Sequence, residues 1–531
     1  MPVWPKCFST FRVSLKTAAT EWHLRKNRTA PVAQQTALTK LTSRLAGASY
    51  WKGLGVEARM PYATFRTKVP VSTYEQLIPA IDRMVRGESD VLWPGRCSLF
   101  ALSAGTSSGQ PKRLPVTEEL LTHFRSAGHD ALLYYNVRVR HAGAFRGRHL
   151  LFGSPTRLVP IGTPGAEQAY AGEMSGIAAL SLPRWAEKHL YEPGTGVGQL
   201  EDLDERIAAI AKRTTGADIT LIAGLPNWVT ILAHALREHA SASRRRITHL
   251  AGLWPNLECY LYSGTLIGPY ANELRVLLGP ALNFHEVYAA SEGFFAAQDA
   301  DSSRGMRLMV DQGVFYEFIP LADLDDTPPE LVGRKALPLE GVKAGVDYAL
   351  VITTPGGLVR YLVGDIVRFT STAPARVIYI GGLKQRLNAF AENISEREAC
   401  DALVAVCQRR GWTIVNFHVA PLHTGGSSFT RQHRGRHEWW VELRPGTVST
   451  PTGPQMATDL DTELQRANPQ YAAARQASTI DPPFVRLVMP GVFEHWLRFR
   501  KQWGGQFKVP RCRSDRMIAD QLSQVTHFAR D

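Results

Sequence analysis

Along the first two-thirds of the chain, short apolar runs rich in β-branched residues alternate with longer stretches whose apolar positions recur every three to four residues. That alternation predicts an α/β fold, in which strands and helices follow one another in turn. The stretch LEDLDERIAAIAKRTTG shows the helical half. Leu200, Leu203, Ile207 and Ile210 fall on one face, acids stand early, cations late, and Gly216 ends it. Charges in that order complement the helix dipole, and a glycine can take the left-handed conformation that closes a helix. ITLIAGLPNW follows as a strand-like run, a Gly-Leu-Pro turn, and Asn227 placed to cap a helix WVTILAHALREHA. The loop of such a strand–loop–helix unit lies at the strand's carboxyl end, where α/β sheets hold ligands.

Beyond RVIYIGG (376–382) the pattern changes. A helix is predicted from about Glu396 through Cys407, and strands over WTIVNFHVA and HEWWVELRPG flank a Gly/Ser/Arg-rich loop, with FVRLVMPGVFEHWLRFR after them. This reads as a separate α+β domain of about 150 residues, a common domain size. A chain of 531 residues also exceeds what one hydrophobic core usually supports. The predicted organisation is therefore residues 1–382 as a large α/β domain and 383–531 as a small α+β domain.

Composition narrows the classes. Hydrophobic residues make up 44% and charged residues 21%, an ordinary globular balance. No apolar run is long enough to span a bilayer, and the start, MPVWPKCFSTFRVSLKTAATEW, reads as a first helix rather than a secretory signal, lacking an apolar centre and a small-residue cleavage site. The six cysteines are dispersed without a CxxC pair, which fits neither a disulfide framework nor a zinc site and suits a reducing cytoplasm. The net charge of +13 owes much to short runs such as Arg244–Arg246 and RQHRGRH at 431–437. A nucleic-acid-binding protein would need clustered cations with interleaved aromatics or a known module, and neither is present.

Four stretches carry candidate chemistry. SAGTSSGQPKR, from Ser103, follows the apolar run CSLFAL. Gly105 and Gly109 free the backbone to bring N–H groups to an anion; Ser103, Thr106, Ser107 and Ser108 add hydroxyls, and Lys112 a point charge. This suits a polyphosphate, although the spacing is not that of a Walker A loop, and a solvated turn has the same composition. In VYAASEGFFA, Tyr288 offers an aromatic face and a phenol, Ser291 a hydroxyl, and Glu292 a hard carboxylate oxygen suited to magnesium. The plain alternative puts Tyr288 in the core and Glu292 in water. GLVRYLVGDIVRF breaks an apolar run at Gly364-Asp365, as a hairpin turn does or as a strand end presenting a carboxylate to a ribose does. WGGQFKVPRC puts Lys508 on a glycine-rich loop, where a lysine is ordinarily a surface charge.

Taken in order, a hydroxyl-rich Gly loop, an aromatic–Ser–Glu, a Gly-Asp and a C-terminal Lys resemble the adenylate-forming superfamily. More closely, FRTKVPVSTYEQLIPAIDRMVRGESDVLWPGRCSLFALSAGTSSGQPKR and GGQFKVPRC resemble the N- and C-terminal signatures of the auxin-responsive (Gretchen Hagen) acyl acid amido synthetases. The resemblance implies an adenylate-forming-type N-terminal domain of β-sheets and packed helices and a mobile C-terminal α+β domain. It also implies roles. Ser103–Gly109 and Lys112 would hold ATP phosphates, Tyr288 would lie against adenine, and Ser291 near the α-phosphate. Glu292 would help hold Mg²⁺, Asp365 would bind the ribose hydroxyls, and Ser263-Gly264-Thr265 would line the adenine pocket. Lys508 would act catalytically beside Glu292, swinging in to neutralise phosphate charge. There are departures: Leu362 stands where the plant pattern has arginine, and Ala391 and Asn393 where bacterial relatives show glycine and lysine.

The expected activity is ATP-dependent adenylation of a carboxylic acid and acyl transfer to an amine, usually an amino acid. An acyl-CoA ligase would share the first step and differ in its thiol acceptor; an inactive homologue would bind without turnover. The further expectations are a cytoplasmic monomer that acts on small molecules and binds neither nucleic acid nor membrane.

Overall fold

The structure is a computed structural model, and it describes residues 6–25, 30–103, 111–162, 164–165, 168–242, 244, 246–327, 329–423, 435–446, 451–504 and 507–528. The fold is mixed α/β. The chain divides into two compact units, Met1–Gly264 with Val276–Tyr379, and Thr265–Arg275 with Ile380–Asp531.

In the first unit the elements that matter to the site are β1 (Leu99–Ser103), β2 (Lys112–Pro115), α1 (Glu118–Val139), β3 (Cys259–Tyr262), β4 (Asn283–Ala290), β5 (Gly293–Ala297), β6 (Met306–Leu308), β7 (Asp347–Thr353), β8 (Tyr361–Thr372) and β9 (Ala375–Gly382). β1 and β2 pair antiparallel in a four-stranded sheet. The others form the middle of a twelve-stranded sheet in the order β7-β8-β9-β6-β5-β4-β3. That sheet changes character at β4. From β3 outward through Ile219–Gly224, Arg148–Phe152 and Tyr191–Glu192 the pairing is parallel, as strand–helix–strand connections require. From β4 the other way, β5, β6 and β9 follow antiparallel.

The helix read from the Leu200 stretch spans Leu203–Thr214, buries Leu203, Ile207 and Ile210, and is capped by Asp202, whose carboxylate accepts from the Glu205 N–H. The next helix starts two residues earlier than its sequence suggests. It runs Pro226–Ala242, so Asn227 lies in its first turn, because Pro226 already carries the backbone angle of a first helical residue. One continuous core joins Trp51, Phe65, Phe100, Phe295 and Tyr316 to Tyr288 and Tyr361. The last two bring that core directly under the site described below.

The second unit is built on α2 (Glu396–Arg410), β10 (Ile414–His423), β11 (Gly435–Leu443) and β12 (Phe484–Val488). α2 opens on a reciprocal Ser395–Glu398 capping box and closes at Gly411 in the left-handed region, both legible as sequence signals. β10 and β11 pair antiparallel, and β12 adds parallel to β11. Thr265–Arg275 belongs to this unit: the Tyr270 hydroxyl accepts from Arg511, and Glu273 pairs with Arg444. Cys97, Cys259, Cys400, Cys407 and Cys512 are buried free thiols. Among the described residues, no helix is long and apolar enough to cross a membrane.

Candidate active site

Ser103 and Lys112 face each other as the last pair of the β1–β2 ladder. The strands therefore bring the two ends of the hydroxyl-rich loop together; Gly105, Thr106, Ser107, Ser108 and Gly109 themselves lie outside the described residues. Lys112 is held by aromatic neighbours. Its ammonium donates to the Tyr361 hydroxyl at 3.1 Å and stands 5.6 Å from the ring centroids of both Tyr74 and Tyr361. Tyr74 also accepts from the Arg113 N–H at 2.9 Å, and Arg113 pairs with Asp82 at 2.7 Å, tying β2 to the helix Tyr74–Val85.

Ser291 and Glu292 form the two-residue connection between β4 and β5. The reading that left Glu292 in water does not hold: it is 5% exposed and Ser291 9%. Burial raises the Glu292 pKa to about 7, the Lys112 charge pulling it down and the Asp365 charge pushing it up. Lys112, Glu292 and Asp365 thus share one electrostatic neighbourhood.

Asp365 arrives there by an irregularity in β8. Ala349 of β7 faces Ile366 and Val351 faces Leu362, so Val363, Gly364 and Asp365 stand opposite Leu350 alone. Gly364, at φ +97°, allows the bulge, since a side chain there would be strained. The Gly-Asp break is therefore neither a hairpin turn nor a strand end, and a bulge re-aims a side chain without ending its strand. The Tyr288 hydroxyl donates to the Asp365 carboxylate at 2.7 Å. Tyr288 itself is buried, edge-on to Phe295 and tilted against Tyr379, its phenol pushed well up by burial and by Asp365. On the far side of β4, the Ser263 hydroxyl accepts from the Ala289 N–H at 3.3 Å, and Gly264 follows at φ +77°. Thr265 begins the segment grouped with the second unit.

The neighbouring Arg360 is fully buried. It forks onto Glu317 and donates to the carbonyls of Arg66, Val69 and Gly333. Its role is to fix the start of β8. Leu362 is held through its backbone by the Ser72 carbonyl.

In the second unit Lys508 is exposed on a stretch anchored just beyond it. Val419 of β10 donates to the Arg511 carbonyl at 2.8 Å and accepts from the Arg513 N–H at 3.1 Å; His418 donates to the Pro510 carbonyl at 2.7 Å. Farther back, Ala391 and Asn393 both have positive φ (+64° and +44°), so the glycine of bacterial relatives at 391 suits a backbone conformation that this chain adopts with alanine. Glu392 between them is fully buried, bonded to the Phe390 N–H and to His437.

Magnesium takes oxygen ligands and keeps waters or substrate phosphates among them. The donor set fits that pattern. Glu292 is a buried carboxylate beside a second one, while among the described residues no group of three His, Cys, Asp or Glu side chains could cage a metal alone. Phosphates would have to complete the shell.

Sequence reasoning missed His123. Buried on α1, its ring bonds the Phe294 N–H at 2.9 Å and the Gln312 carbonyl at 2.7 Å. A histidine on a helix carries no signal for partners so distant.

Comparison with known proteins shows what the chain is similar to. Models of the GH3 family N-terminal, central and C-terminal domains match residues 21–164, 307–380 and 397–517. A probable indole-3-acetic acid-amido synthetase, GH3.4 of Oryza sativa subsp. japonica, is 25% identical over 95% of this chain and 90% of its own. Indole-3-acetic acid-amido synthetase GH3.3 of Arabidopsis thaliana is 24% identical over 94% and 93%. Among solved structures, GH3.15 acyl acid amido synthetase superposes with a TM-score of 0.75 at 20% identity over 96% of both chains. A 2-hydroxyisobutyryl-CoA ligase bound to an acyl-adenylate superposes at 0.58 and 14% identity, over 95% of this chain and 92% of that one; at such identities the likeness is one of fold. With all three domain models matched in order along more than half its length, the chain belongs to the GH3 family.

Proposed function

We propose that the chain is an ATP-dependent acyl acid amido synthetase. The observation that carries this is the buried Glu292 turn sharing its field with Lys112 and Asp365, in a chain of this family. A carboxylate resists nucleophilic attack at its carbon because it is already charged. Its oxygen instead attacks the α-phosphorus of ATP, the bond to the β-phosphate oxygen breaks, and pyrophosphate leaves. An amine nitrogen then attacks the acyl carbon, loses a proton, and displaces AMP, leaving an amide. Magnesium, when bound, would neutralise charge on the phosphate oxygens, with Glu292 as its protein ligand. Ser103–Gly109 and Lys112 bind the phosphates, with Ser291 toward the α-phosphate. Asp365, held by Tyr288, accepts from the ribose hydroxyls, and Ser263, Gly264, Thr265 and the aromatic group around Tyr288 border the adenine. Lys508 serves the phosphates from the second unit. The scheme needs no covalent enzyme intermediate.

The purified protein is expected to exchange pyrophosphate into ATP with a carboxylic acid present, and to yield AMP and an amide with pooled amino acids by mass spectrometry. Indole-3-acetic acid, named for the relatives, is the first acid to try. ADP and phosphate as products would overturn the proposal, because they imply an acyl phosphate; a thioester formed in place of the amide would make the chain a CoA ligase.

A pH effect follows from Glu292. Its pKa of about 7 means that magnesium must displace a proton at neutral pH, so affinity for the ion should weaken as pH falls through that value. Below it the loss approaches about tenfold per pH unit. The folded pKa is raised, so in the metal-free protein the protonated carboxyl's stabilising effect is lost as pH rises through about 7. Magnesium titrations of pyrophosphate exchange one unit above and below that pKa test this; equal magnesium requirements would remove Glu292 as the ligand.

A further inference from the structure

We propose that His123 is a positioning residue for the Ser291–Glu292 turn, holding it through the Phe294 N–H and so fixing where the Glu292 carboxylate meets a magnesium–nucleotide. The inference rests on the function proposed above and assigns a part to a side chain which that function leaves unused.

The turn is held by its sheet on one side only, where Gly293 pairs with Ala290 and Phe294 with Ala289 of β4. β6 pairs with β5 only at Ala296 and Ala297, so Phe294 lies beyond the reach of that neighbour. The β4–β5 register also slips between Phe294 and Ala296. Neither Ser291 nor Glu292 has positive φ, so the connection lacks the mirror-image turn that best matches paired strands. His123 fills the gap. A backbone N–H can only donate, so Nε2 must accept from Phe294, and Nδ1 must then carry the proton it gives to the Gln312 carbonyl. Both bonds require the neutral ring, and burial keeps it neutral by lowering its pKa to about 4.

One imidazole thus ties the start of β5 to the turn after β6. The same helix holds that turn a second time, because the Gln312 amide donates to Asp130 of α1 at 2.7 Å. The turn is enclosed elsewhere too: a Cβ on Gly293 would come within 2.8 Å of the Phe295 ring. Phe294 is two residues from Glu292, so a shift of its N–H moves the carboxylate with it. Groups that orient a metal ligand from behind commonly change metal affinity or activity by about 10–100-fold when removed.

The test uses the full chain and the variants His123→Gln, His123→Asn and His123→Ala. Glutamine can place an amide oxygen where Nε2 stands; asparagine reaches only the Gln312 side, so comparing the two isolates the Phe294 bond from packing. Calorimetry with a non-hydrolysable ATP analogue, with and without Mg²⁺, reads the site independently of turnover. The expected result is that Asn and Ala lose about tenfold or more of the Mg²⁺-dependent gain in affinity, keep their Mg²⁺-free affinity, and that Gln restores most of the gain. Pyrophosphate exchange should show the same ranking in kcat with an unchanged KM for the acid. If alanine does not fold, the Gln–Asn comparison decides alone. Equal behaviour of Gln and Asn, an untouched Mg²⁺ gain, or a parallel fall in Mg²⁺-free affinity would overturn the proposal, as would a wild type without any Mg²⁺ gain. A wild type that gains affinity with Mg²⁺ yet activates no acid would instead refute the amido synthetase reading, and the variants would still decide the role of His123.

Discussion

Replacing Lys508 by alanine is expected to leave the melting temperature and ATP binding near wild type while removing most adenylation. The anchors of its loop explain the first half. Arg511, His418 and the backbone of Val419 hold the chain just beyond Lys508 through bonds of their own. The second half follows from the charge that develops on the departing pyrophosphate. A cation presented to that charge away from water acts mainly in the transition state, and loss of one such donor commonly costs about 10²–10³ in rate. A surface lysine without this role would give a silent variant. Pyrophosphate exchange at saturating substrates measures the difference, and activity within about threefold of wild type would remove Lys508 from the mechanism.

Asp365→Ala and Glu292→Gln should fail in different ways. A ribose contact exists in ground and transition states alike, so losing Asp365 raises KM for ATP with a smaller change in kcat. Hydrogen bonds to a charged group contribute about 1.5–3 kcal/mol, which corresponds to a KM increase of about tenfold to a hundredfold. The Tyr288 hydroxyl, buried and bonded to Asp365, would lose its acceptor in the same variant. Glu292→Gln keeps the shape of the turn and removes the charge that a metal needs, so kcat should fall by about 10² and about tenfold or more of the Mg²⁺-dependent gain in nucleotide affinity should go with it, while Mg²⁺-free affinity stays. Steady-state kinetics of both variants, with Mg²⁺ varied, checks the pair. Unchanged kcat in Glu292→Gln together with unchanged KM in Asp365→Ala would overturn both assignments.

The order of the chemistry was readable in the sequence; its geometry mostly was not. Strands and helices depend on neighbours within a few residues, so the helix carrying Leu203, Ile207 and Ile210, the helix from Glu396 and the alternation of apolar runs could be read directly. The Gly-Asp break could not be resolved because a glycine at positive φ serves a turn and a bulge equally well; pairing with β7 decides between them. Glu292 looked solvent-exposed because a short polar turn ordinarily is. What buries it comes from far along the chain, as do its charged neighbours Lys112 and Asp365. His123 is a further case, with partners 171 and 189 residues away.

The allocation of Thr265–Arg275 to the second unit bears on how members of such a family can be recombined. A chimaera joined near residue 380 would carry one parent's Arg511 and Arg444 and the other parent's Tyr270 and Glu273. The graft would then depend on whether the two lineages kept matching partners at those four positions. A C-terminal fragment expressed alone would lack the Tyr270 ring over which the Arg511 guanidinium lies at 5.5 Å, leaving a buried cation without one of its partners. Crossovers that transfer 265–275 together with the chain from 380 onward keep each donor's contacts intact, so the unit of inheritance for this part of the molecule is two separate stretches of sequence.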